Sequence, residues 1–374
     1  MTSRTDNQNQ PKRHRIIALD LLRGFFIMAV IVDHVPWAPS LFFAFSGGGR
    51  LFASPAEGFF VISGLLVGYL YGPRILSQTK SVVEKIWRRA GLLYVLSVVF
   101  TLIFTAWAVS LTEGRPSLEL WNGTVSSYFL NTLTLRYSYG WTDFLSRYAV
   151  FMAFAPLLVW LVAKGKWWLV AGGSVAIWSL LGRWEMLMPF AAWQILFSFG
   201  IIIGYYLPVI ENWWRQSLSQ STRRIAAMLI ISSALVSFIV SVVLFIILPQ
   251  TGSEPVTFLG INIDSIRPLF YKNVLGIGRL LLGVLWFSAL YLIFRRYEQS
   301  LQRLTRGVVE VFGQNSLFVY GLHSFVLFAI ITIVYPIDRS SVIWNTIYTS
   351  LVLVFIYLVT KYRHRLASFI RPSK

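Results

Sequence analysis

The chain has 374 residues, of which 56% are apolar, 16% aromatic and only 13% charged. That balance excludes an ordinary soluble domain, and the absence of cysteine excludes disulfides, thiolate metal sites and a cysteine nucleophile. A formal net charge of +18 raises nucleic acid as a partner, and the placement of the cations along the chain argues against it.

Crossing a hydrocarbon core about 30 Å thick takes about 20 apolar residues of helix. Ten apolar runs ended by charges, Pro or Gly meet that need: 16–35, 55–72, 91–111, 143–164, 167–182, 190–210, 225–249, 273–294, 310–335 and 340–361. The sequence therefore predicts an all-α polytopic membrane protein of about ten transmembrane helices. With the N-terminus in the cytoplasm, 23 Lys and Arg fall on the cytoplasmic side, seven on the opposite side and three (Arg23, Arg147 and Arg279) inside spans. This positive-inside distribution predicts that both termini are cytoplasmic. Residues 1–15 form a polar, basic tail, 16–361 a single transmembrane domain and 362–374 a second basic tail. No cleavable signal peptide is expected, because the first apolar run is long and broken by charges.

The first run, LDLLRGFFIMAVIVDH, carries Arg23 and His34 eleven residues apart. Eleven helical steps make three turns plus about 20°, which sets both groups on one face roughly 16 Å apart. Asp20 lies near that stripe and Asp33 about a quarter turn from it. Ionisable groups at membrane depth are costly and mark function by default. The 36–54 connection follows. Glu57 then opens the second run, with Ser63, Gly64 and Gly68 deeper in; the glycines read first as a small-residue helix contact.

Segment 73–90 mixes apolar and basic positions, as a surface-lying amphipathic helix does, or a plain basic loop. The long 112–142 and 250–272 connections have the length of lids or binding surfaces. Trp121 and Trp141 read as interface anchors, or as platforms for a sugar ring. Asp143 and Arg147 open the fourth run at i and i+4, either as a self-neutralising pair or as site residues. Gln194 and Arg279 lie in the outer thirds of their runs. His323 shares a helical face with Ser316 and Tyr320 and reads first as a satisfied core histidine, with a role in the site second. His14 and His364 lie in the tails, and neither His34 nor His323 has a second histidine at helical spacing, so no metal site is assigned.

Group transfer to a hydroxyl fits these residues. His34 can take the proton of an attacking alcohol, and Asp33 or Glu57 can fix its tautomer. Arg23, toward the cytoplasm, can hold the phosphates of an anionic donor such as a coenzyme A thioester, or polarise its carbonyl. The distance from Arg23 to His34 suits an extended pantetheine arm and implies a tunnel. No serine elbow, glycine-rich phosphate loop or HExxH motif is present.

The opening LDLLRGFFIMAVIVDH resembles the signature of the integral-membrane acyltransferase superfamily that includes acyltransferase family 3. With SPAEGFFVISGLLVGYLYG, RRAGLLY, TDFLSRYAVFMAFAPLL, PFAAWQILFSFG and FGQNSLFVYGLHS in order along the chain, it is similar more narrowly to the OpgC family, the succinyltransferases of osmoregulated periplasmic glucans. The resemblance implies a multi-pass enzyme of the bacterial inner membrane whose active site opens toward the periplasm. It also implies acyl-CoA, succinyl-CoA foremost, as a co-substrate rather than a bound cofactor, and a carbohydrate acceptor. Carried over by motif, Arg23 and His34 form the essential pair, with Asp20, Asp33 and Glu57 as further carboxylates; Asp143, Gln194, Asn315 and Ser316 match later blocks without assigned roles. FLSRY departs from the leucine-proline pair expected before the tyrosine. That change bears on acyl or acceptor specificity, and Arg147 is a candidate cation for a succinyl carboxylate.

The candidate site is thus His34, Asp33 and Glu57 as catalytic residues, with Arg23, Asp20, Asp143, Arg147, Gln194, Arg279, Asn315 and His323 binding substrate. Partners are the bilayer, acyl-CoA and the carbohydrate, without nucleic acid and with no oligomeric state assigned. The competing readings are an O- or N-acetyltransferase of the same superfamily acting on another cell-surface glycan, and a transporter or flippase whose pathway is lined by the same charged stripe.

Overall fold

A computed structural model of the protein describes residues 15–111, 121–184, 187–248, 257–258, 261–334 and 337–370. The long helices are α1 (Ile17–His34), α2 (Pro55–Tyr71), α3 (Thr79–Ser110), α4 (Asp143–Ala163), α5 (Trp167–Leu181), α6 (Gln194–Gln216), α7 (Gln220–Val242) and α8 (Ile277–Arg296). A short helix α9 (Val308–Gln314) then precedes α10 (Ser316–Ile333) and α11 (Val342–Ile370). Among the described residues, extended pairing is confined to Thr257–Phe258 against Ile261–Asn262.

Eight described helices are long and apolar enough to cross a membrane: α2, α3, α4, α6, α7, α8, α10 and α11. The protein is an all-α polytopic membrane protein. The two remaining apolar runs are helical too. α1 carries Asp20, Arg23 and Asp33 within 18 residues, and α5 has only 15 residues, about 22 Å of helix.

Local chemistry sets the ends. α1 stops at Val35, whose extended backbone is what a residue before proline adopts. α2 begins with a capping box in which Ser54 and Glu57 satisfy each other's end of the first turn, with Pro55 at the first helical position. α7 is capped by the Ser219 hydroxyl, which accepts from the Thr222 amide at 3.1 Å.

Two expectations change. Segment 79–90 is not a separate surface helix, because it continues into the span as the first third of the 32-residue α3, about 48 Å long. The run 310–335 is broken at Asn315, whose backbone (φ −111°, ψ 22°) leaves the helical region between α9 and α10. The last helix runs on to Ile370, through most of the segment 362–374 read as the second basic tail; residues 371–374 and 1–14 lie outside the described residues.

α1 is the interior helix. Leu19, Leu22, Phe26, Ile27, Val30 and Ile31 are buried along it, and α2, α8, α9 and α10 pack around it. Phe25 and Phe26 meet Phe294 and Phe287 of α8. The helix that carries charge is thus kept from lipid, as its cost in hydrocarbon requires. By contrast α7 exposes Met228, Leu229, Leu235, Val236 and Ile239, the face expected toward acyl chains.

Two contacts need glycine. A Cβ on Gly24 would stand 1.9 Å from the Val309 carbonyl oxygen, and one on Gly313 1.9 Å from that of Asp20, so α1 and α9 touch backbone to backbone. The same holds between α2 and α6, where Gly64 and Gly68 face Phe197 and Ile201 while Gly200 and Gly204 face Val61 and Leu65. Gly64 and Gly68 therefore serve the small-residue helix contact.

Candidate active site

α1 delivers His34 to the end of the bundle where a cavity of about 260 Å³ opens. Ile27, Val30, Asp33 and His34 of α1, Asp143, Phe144 and Arg147 of α4, Trp193, Lys272, Asn273 and Tyr320 supply most of its wall. His34 Nδ1 lies 3.3 Å from Nε2 of His323, and the two rings meet edge to edge, their planes 17° apart and centroids 5.6 Å apart. His323 is fully buried. Its own Nδ1 meets the Tyr320 carbonyl oxygen.

That chain of contacts fixes the tautomers. A carbonyl only accepts, so His323 Nδ1 carries a proton; in a neutral ring its Nε2 is then a lone pair. His34 Nδ1–H donates to that lone pair, and His34 Nε2 is left as an acceptor on a residue that faces the cavity. The indole of Trp141 lies 6.4 Å from the His34 ring, and the Trp141 backbone carbonyl accepts from the Tyr320 hydroxyl.

The partner that orients His34 is therefore His323. Neither expected carboxylate bonds to it. Asp33 accepts the Gly48 amide at 3.0 Å, presented by three successive left-handed glycines, Gly47 to Gly49. Glu57 is engaged by Arg279 and by Ser54. The Glu57 and Arg279 side chains are 4% and 1% exposed, and Arg279 also donates to the carbonyls of Leu51 at 3.0 Å, Phe270 at 3.2 Å and Gly49 at 3.5 Å. This pair clamps two loops and the ends of α2 and α8. It lines neither cavity.

Arg23 lines a second cavity of about 660 Å³, together with Arg89, Gln314, Asn315 and Arg363, and no carboxylate is among its described lining residues. Asp20 does not pair with Arg23; it holds Arg15 at 2.6 Å. Asn315 donates to the Val311 carbonyl at 2.8 Å from the helix break, and Ser316 beside it is buried. Asp143 and Arg147 pair at 2.7 Å, with the guanidinium 5.3 Å over Trp193, and both remain in the wall of the first cavity. Gln194 is placed elsewhere: it accepts from the Ser174 hydroxyl at 2.7 Å and donates to the Ser174 carbonyl at 2.8 Å, a clasp between α5 and α6, and it is not among the residues lining either cavity.

The two cavities share no lining residue. They share walls. The stripe of α1 gives Arg23 to one and Ile27, Val30 and His34 to the other, α4 gives Leu145 and Phe144, and α10 gives Gly321 and Tyr320. An aromatic layer stands between: Arg89 lies 5.7 Å over Tyr148, whose ring is 5.7 Å from Phe144, itself 4.9 Å from Tyr320. The expected tunnel is thus two chambers with a partition.

Sequence reading did not single out Lys272, Asn273, Arg89, Gln314 or Arg363. A basic residue on the cation-poor side was the available signal for Lys272. For Arg89 and Arg363 no signal separates them from the basic clusters that orient any membrane protein.

A model of the OpgC protein family matches residues 15–368, nearly the whole chain. No curated protein matches it.

Proposed function

The chain belongs to the OpgC family and is an OpgC-type acyltransferase; from that premise we propose that it moves an acyl group, succinyl foremost, from cytoplasmic acyl-CoA to hydroxyls of a periplasmic glucan across the bacterial inner membrane. The observation that carries this reading is the His34–His323 pair, which leaves His34 Nε2 as a free base on a cavity wall. In the proposed step the acceptor hydroxyl gives its proton to Nε2 while its oxygen attacks the thioester carbon. The tetrahedral intermediate then expels the thiolate, which recovers the proton from the imidazolium. His323 Nε2, accepting from His34 Nδ1–H, stabilises that imidazolium. The side-chain amide of Asn273 is a neutral donor in the same wall for the developing oxyanion.

The second cavity suits the donor's phosphates, since three arginines converge on it and no carboxylate is among its described lining residues. Arg23, roughly 16 Å along α1 from His34, holds the donor and is too far to polarise its carbonyl. The pantetheine arm spans the two chambers when the Phe144–Tyr148 layer gives way. The superfamily placement suggested by the opening motif fits the same reading.

Purified protein incubated with radiolabelled succinyl-CoA and a neutral glucan is expected to form a labelled ester. Folded, monodisperse His34→Ala protein is expected to form none. Near wild-type transfer by that variant would remove His34 as the base, and movement of glucan across vesicles without ester would favour transport.

A further inference from the structure

Lys272 is the one cation in the wall of the His34 cavity that enters no ion pair among the described residues. The two cavity carboxylates are engaged elsewhere, Asp33 by the Gly48 amide and Asp143 by Arg147. Arg147 is the other cavity cation, and its charge is already matched by Asp143 and laid over Trp193. Lys272 is nonetheless held in place. Its ammonium lies about 3.0 Å from where a Cβ on Gly49 would sit, close enough to act electrostatically on His34, Asp33 and Glu57. The loops on both sides of it are fixed by Arg279, which binds the carbonyls of Gly49, Leu51 and Phe270. A half-buried ammonium with no carboxylate in ion-pair contact among the described residues, in a chamber where an acyl group meets its acceptor, is placed to take an anion. Arg147 Nε, buried with no partner, is a second unused donor in that wall.

We propose that Lys272 selects the acyl group, binding the terminal carboxylate of a dicarboxylic acyl chain while His34 activates the acceptor; this rests on the acyl-transfer reading above. The size of the cavity agrees, since about 260 Å³ lies at or below the small end of ligand pockets and suits a short polar acyl group rather than a fatty chain. An anion carried by the acceptor would satisfy the same ammonium, so the assay separates the two sources.

Wild type, Lys272→Gln and Lys272→Arg are assayed with succinyl-CoA and with butyryl-CoA, its neutral counterpart of equal chain length, on a neutral glucan and on an oligosaccharide bearing uronic acids. Losing one charge-assisted hydrogen bond is worth a factor of roughly 10 to 100. The ratio of kcat/KM for succinyl over butyryl donor on the neutral glucan is expected to fall by about that factor in Lys272→Gln. Lys272→Arg is expected to keep most of the preference. An equal loss with both donors would mark Lys272 as an oxyanion or structural residue and overturn the proposal. So would an unchanged ratio, or a loss confined to the anionic acceptor. Wild-type protein inactive with every donor would instead defeat the acyl-transfer reading and this proposal with it.

Discussion

His34 and His323 are 289 positions apart in the chain and 3.3 Å apart in space. A histidine used as a base works only if its lone pair points at the substrate, and here a second histidine sets that direction through the Tyr320 carbonyl. The arrangement differs from a carboxylate–histidine pair because a neutral acceptor carries no charge to be desolvated in the interior. His323→Phe keeps a buried ring of similar volume and removes the acceptor for His34 Nδ1–H, freeing the base to take the wrong tautomer. Its kcat is expected to fall by about 10²-fold, within the range that positioned base catalysis supplies. The KM for acyl-CoA should not move, since the site proposed for the donor's phosphates is the other cavity. Steady-state kinetics on detergent-purified protein decides this. Unaltered kcat would mean that His323 only fills space.

Between elements, the decisive contact is the buried Glu57–Arg279 pair. It ties the first turn of α2 to the first turn of α8 and, through three carbonyls, to the loops that carry Gly48 and Lys272. Breaking a buried pair from one side strands the other charge and costs about 3–5 kcal/mol, whereas replacing both partners by apolar groups is often close to neutral. Arg279→Met is therefore expected to lower the thermal unfolding midpoint in detergent clearly more than the double variant Glu57→Leu with Arg279→Met. The opposite order would show that the carbonyl contacts of Arg279, rather than its charge, hold the loops. This pair also shows what was legible in advance. Periodicity located the spans and the face shared by Arg23 and His34, because each is a local property of the chain. That Glu57 would meet Arg279, 222 residues on, rather than His34, is set by how α2 and α8 stand against each other, and no spacing encodes that. The break at Asn315 falls in the polar stretch Gly313-Gln314-Asn315-Ser316, a local signal passed over because apolar residues resume on both sides; there α9 comes backbone to backbone with Gly24 on α1. Gln194, expected at the substrate, is found clasping α5 to α6; a polar residue in a span serves a helix contact as readily as a substrate.

For the whole molecule, orientation determines which chamber sees which substrate. The proposed reaction needs the arginine-lined cavity to face acyl-CoA in the cytoplasm and the His34 cavity to face the glucan outside. The distribution of Lys and Arg supports that sense: Arg88, Arg89, Arg295, Arg296, Arg303 and Arg306 cluster at the Arg23 end. Charge bias is an argument about insertion and needs a direct readout, which the cysteine-free sequence makes clean. Leu304, 80% exposed beyond the last turn of α8, and Phe45, 73% exposed in the loop that follows α1, lie at opposite ends of the bundle. In spheroplasts, a membrane-impermeant maleimide is expected to label Phe45→Cys at once and Leu304→Cys only after lysis. The reverse pattern would place the arginine chamber outside, where no acyl-CoA is available, and the donor would then have to be a different activated acyl group presented on the outer face.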